Sequence, residues 1–109
     1  MLRRIKLMAD YDCYPLWSME PDHVGNINPK TLSLSPETKL RLQQWAKAYD
    51  ETLNRDDPAS SGFKNEDDAV AFEEEGLHLW QRLRQELAPE YEIAYFSESS
   101  QQLLTQTVR

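Results

Sequence analysis

NEDDAVAFEEEGLHLWQRLRQELAP, residues 65–89, decides how the rest of this 109-residue chain is read. Ala69, Phe72, Gly76, Leu79, Trp80, Leu83 and Leu87 recur at spacings of three and four, which puts them on one stripe of a helix. Asn65 suits the cap, and three acids fill the first turn, where the helix dipole favours them. Pro89 marks the stop. Gly76 in the interior costs about 1 kcal/mol against alanine, so it predicts close packing, a Trp or Tyr of a neighbouring helix lying against bare backbone.

Upstream, SPETKLRLQQWAKAYDETLN at 35–54 reads as another helix. Ser35 caps it, Pro36 suits the first helical position, and Glu37 meets the positive dipole end. Leu42, Trp45, Ala46, Tyr49 and Leu53 make its apolar stripe, with Arg41, Gln44, Lys47 and Asp50 facing away. DDPASSGF at 56–63 connects the two helices. Pro58 blocks helix continuation and biases Asp57 to extended backbone, Ser60 and Ser61 can bond nearby amides, Gly62 permits a positive φ, and Phe63 can anchor the turn. Two helices joined this way form an antiparallel hairpin.

Further out, Ile5, Leu7 and Ala9 alternate with Lys6, Met8 and Asp10, a strand that starts at Arg3 or Arg4 and reaches Tyr11. YEIAYF at 91–96 reads as a second strand. The order predicts an α+β fold with a β-α-α-β core, the helical hairpin packed on one face of a small sheet, in a single domain over 1–109. Two strands make a thin sheet. Another strand is therefore expected from the irregular, proline-punctuated 12–35 stretch, from the tail, or from a second copy in a homodimer.

The net charge of −7 argues against nucleic-acid or anionic-membrane partners and complements a basic protein. No apolar run is long enough to span a membrane, and MLRRIKLMAD lacks the unbroken apolar segment of a secretory leader, so the expected compartment is the cytoplasm. Cys13 is the only cysteine, and His23 and His78 are the only histidines. With no HExxH, cysteine pair, glycine-rich phosphate loop or nucleophile elbow, no cofactor and no catalytic group is expected.

Acidic residues carry the binding expectation. Asp10 and Asp12 share one face of an extended chain. Asp56 and Asp57 follow the negative end of the first helix, where carboxylates call for loop amides or an outside cation. Asp67, Asp68, Glu73, Glu74 and Glu75 form an acidic ridge, although the three glutamates fan out by about 100° each. Tyr14 and Trp17 could form an exposed aromatic patch. These eleven residues are the candidate contacts for a basic protein. A different reading makes the chain a small Mg-dependent hydrolase using Asp10, Asp12, Asp56 and Asp57. That requires the long loop to cross back along the domain, so that both acidic pairs lie at one end.

KLMADYDCYPLW at 6–17, LNRDDPASSGF at 53–63, FEEEGLHLW at 72–80 and YFSE at 95–98 resemble segments of a group of small bacterial immunity-like proteins. Similar small acidic chains protect against bacterial toxins, including those of contact-dependent growth inhibition. The resemblance implies a non-enzymatic, stoichiometric inhibitor of a toxin nuclease, whose basic groove an acidic domain can occupy or flank.

Overall fold

The structure, a computed structural model, describes residues 3–53, 56 and 62–105. In chain order the elements are β1 (Arg3–Leu7), β2 (Leu16–Glu20), β3 (His23–Ile27), a 3-10 turn (Pro29–Thr31), α1 (Pro36–Asp50), α2 (Glu66–Leu87), β4 (Tyr91–Ser97) and β5 (Gln102–Leu104). The fold is α+β, but its order corrects the expected β-α-α-β: three strands precede the helices and two follow. The long loop and the tail both supply strands, so the strand shortage that pointed to a second copy does not arise.

The mixed sheet runs β3-β2-β1-β4-β5. β1 and β4 are parallel, Ile5 opposite Ile93 and Leu7 opposite Tyr95, as a connection through two helices allows. β2 returns antiparallel to β1, and β3 to β2. Glu20 pairs with His23 across Pro21-Asp22, a two-residue turn without the Asn-Gly or Asp-Gly signature of the common hairpin turns. That absence, and the brevity of the strands, made 12–35 look irregular. Gly25 adopts φ 154°, which only glycine takes easily.

Strand alternation sorts the sheet into two faces. Ile5, Leu7, Leu16, Ile93 and Tyr95 are buried beneath Leu42, Trp45, Phe72, Leu79, Trp80, Leu83 and Leu87 of the helices. Gly76 is where α2 comes close to its neighbours. A Cβ there would overlap the Tyr95 hydroxyl and lie 2.9 Å from Trp45 Cζ2. The expected tryptophan comes from α1, and β4 adds a tyrosine that the helix pattern did not indicate. Buried indoles keep their hydrogen bonds: Trp45 Nε1 donates to the Phe72 carbonyl at 2.9 Å and Trp80 Nε1 to that of Ile93 at 2.7 Å.

A polar clasp closes the other end of the helical hairpin. Glu86 near the end of α2 accepts the Ser35 amide at 2.8 Å and the Thr38 hydroxyl at 2.5 Å, and Arg82 lies 3.7 Å away. Thus the cap of α1 is shared between Ser35, which accepts the Thr38 amide, and a carboxylate 51 residues away. Burial works against the Glu86 carboxylate, but the Ser35 amide, the hydroxyls of Thr38 and Ser35, and Arg82 together hold its pKa below the ordinary carboxylate value. A lowered folded pKa contributes stability above the unfolded value, lost as pH falls through the folded one. Glu86→Ala is therefore expected to cost about 2 kcal/mol near neutrality, a cost that shrinks below about pH 4 in melts at stepped pH.

The chain path answers the question of the two ends. β3 finishes at Ile27, level with Leu16 and so with Leu7 at the end of β1. α1 nevertheless begins beside Glu86, close to where β4 starts opposite Arg3. Residues 28–35 thus cross back along the domain, and α1 returns to the end of β1. The Asp12 amide there donates to Asp50 Oδ1 at 2.9 Å.

Candidate partner-binding site

Parallel pairing of β1 and β4 puts their carboxyl ends side by side. Asp10 lies just beyond β1 and Glu98 just beyond β4, while α1 delivers Asp50 and α2 delivers Glu73 to the same pole. Glu73 is fixed there by β4: the Tyr95 hydroxyl donates to its Oε1 at 3.1 Å and the Ser97 hydroxyl to its Oε2 at 2.7 Å. Asp10 Oδ1 accepts the Tyr11 amide at 2.8 Å. Asp12 holds φ 59°, a left-handed conformation that aspartate tolerates better than most residues. Beneath these acids the Tyr11 ring stacks on Tyr49 at 4.7 Å, and the Tyr11 and Thr52 hydroxyls bond at 3.1 Å.

Acids brought together this way repel. Burial, then the charges of Asp10 and Glu73, raise the Glu98 pKa against a stabilising bond from Gln101. The Cys13 thiol is raised by burial and by Asp10, Asp12 and Asp50. Burial, with Glu98 prominent among the remaining causes, pushes Tyr49 up to about 12. A positive group placed at this pole would relieve the repulsion, and an approaching cation would feel several carboxylates at once.

The candidate residues distribute unevenly. Asp10, Asp12 and Glu73 belong to the pole. Asp50 and Glu98 belong to it too, and neither is marked in the sequence: the periodicity of α1 sets Asp50 on an outward face, and Glu98 gains meaning only through parallel pairing. Glu73, Glu74 and Glu75 do not form one ridge with Asp67 and Asp68. Glu73 turns to β4, Glu75 grips Arg41 at 2.6 Å, and Glu74 stays exposed. The 100° step between successive helix residues sends them to different neighbours. Asp67 and Asp68 are exposed in the first turn of α2, capped by Asn65 as expected. Asp56 is exposed, and Asp57 with residues 58–61 lies outside the described residues. Tyr14 is exposed, its amide bonded to Asn26, whereas Trp17 lies half-buried on the face of the sheet away from the helices. Among the described residues no three His, Cys, Asp or Glu side chains are grouped to hold a metal ion.

The model of the family described as Serratia CdiI immunity protein-like matches residues 3–98. The chain belongs to this family. No curated protein matches it. The matched span runs from the first residue of β1 through Glu98, so the family region includes both helices and every acid of the pole. Among the described residues no helix is long and apolar enough to cross a membrane.

A pole of mutually repelling acids should cost stability in the free protein. Glu98→Gln is expected to raise stability at pH 7 by about 0.5–1 kcal/mol, solvent screening keeping the gain small. The sign follows from a raised folded pKa: the native form binds its proton more tightly, so wild-type stability falls as pH rises from the unfolded value. The gain of the variant should vanish near pH 4, which paired thermal melts will show.

Proposed function

We propose that the chain is an immunity protein that neutralises a basic toxin domain by binding it stoichiometrically, performing no chemistry of its own. Family membership over residues 3–98 carries this reading. The convergence of Asp10, Asp12, Asp50, Glu73 and Glu98 on one pole supports its electrostatic part. A nuclease groove shaped for phosphates offers the complementary surface, and acids laid across it would exclude nucleic acid by occupancy and by repulsion.

Co-expression with a cognate toxin domain, sought first in the neighbouring reading frame, tests the reading. The wild-type chain should restore growth and co-purify with the domain as a one-to-one complex. Growth arrest despite full expression of the chain would reject it.

A further inference from the structure

One face of the sheet carries the helices; among the described residues no helix or strand covers the other. Register places Ala94, Lys6, Trp17 and Asn26 in a row across that outer face, with Phe96 and Leu103 paired in the next row. Alternation adds Met8 on β1's continuation and Met19 on β2. Leu103 is 42% exposed and Met19 36%, while Trp17, Phe96 and Met8 are half-buried. A sheet face turned to water ordinarily alternates to polar residues. Beside Arg4, Lys6, Glu92 and Asn26, this one also presents a tryptophan, a phenylalanine, a leucine and two methionines, among them residue types that are enriched in interface cores.

The apolar face runs into the acid pole. Trp17 Nε1 donates to the Met8 carbonyl at 2.9 Å, which holds the indole at the end of β1, two residues before Asp10. Phe96 stands two residues before Glu98. We infer that the outer sheet face centred on Trp17 and Phe96 is the apolar core of the toxin interface, with the acid pole as its charged rim. This rests on the immunity reading above and names the surface that holds the toxin once charge has steered it in. Charge complementarity selects the occupant: a cationic domain meets an adjoining cluster of carboxylates, whereas a second copy brings another net charge of −7.

Kinetics with the purified cognate toxin domain test it, using the full chain and the variants Phe96→Ser and Leu103→Asp. Leu103 is exposed on the edge strand, so its variant keeps the test sound if Phe96→Ser proves unstable in a thermal melt. Dissociation is expected to quicken about 30-fold or more for both, and the charge-neutral Phe96→Ser should leave the salt dependence of association unchanged. Dissociation rates within about 2-fold of wild type would overturn the inference. If neutralising Asp10 and Glu98 still slows association in that case, the acid-pole reading survives without it. A free chain that is a dimer in light scattering, and that Leu103→Asp splits, would assign the face to a second copy and overturn it too. A wild-type chain that does not bind the domain overturns both readings.

Discussion

Gly76→Ala is expected to destabilise the fold by about 3 kcal/mol, although alanine is the better helix former by about 1 kcal/mol. The new methyl group would occupy the space of the Tyr95 hydroxyl and crowd Trp45 Cζ2 at 2.9 Å. Neither ring has room to withdraw: Tyr95 is fully buried, and Trp45 stacks on Phe72 at 4.5 Å with its indole N–H bonded to the Phe72 carbonyl. Moving Tyr95 would also break its bond to Glu73, a charge-assisted contact of about 1.5–3 kcal/mol. For a domain of this size the melting temperature should fall by roughly 10–20 °C. Tyr95→Phe removes the atom in closest conflict and leaves the crowding against Trp45, so the double variant should be more stable than the sum of the single losses by about 1 kcal/mol. Strict additivity in the melts would mean that Gly76 and Tyr95 are not in the contact described.

Reversing charge at the pole, Asp10→Lys with Glu98→Lys, is expected to weaken toxin binding by at least about 100-fold while leaving the chain as stable as before or more so. Against the basic partner proposed above, two attractions become two repulsions. Within the free chain the new lysines would instead join Glu73, with Asp12 and Asp50 at the same pole, so the like-charge repulsion that adds to burial in raising Glu98 becomes attraction. Titration calorimetry for affinity and thermal melts for stability separate the two effects. A loss of binding accompanied by an equal loss of stability would mean that the fold, not the surface, had been damaged.

What could be read from residues alone follows from how local each signal is. The helices were legible because their caps, stripes and stops sit within their own segments: Ser35 and Asn65 cap as predicted, and Gly76 marks a close approach. β4 was legible from its alternation. The β2–β3 hairpin was not, because its turn is Pro21-Asp22 and each strand has five residues. Non-local partners were invisible. Nothing near Ser35 announces that Glu86 shares its cap, and nothing near Glu98 announces that β4 will run parallel to β1 and bring it towards Asp10. The candidate site was therefore half legible. Its acidic character was plain, but the members that make it a pole, Asp50 and Glu98, depend on chain path. The ridge on α2 dissolved because Glu73 and Glu75 found partners on β4 and α1.

The most direct test of the account is the association rate constant of the chain with a cognate toxin domain, measured by stopped flow across ionic strength from about 0.05 to 0.5 M. Electrostatic capture predicts a rate that falls steeply with salt, by about 10-fold or more, and a clearly shallower slope for Asp10→Asn with Glu98→Gln. An association rate indifferent to salt, and unchanged when those two charges are removed, would contradict it.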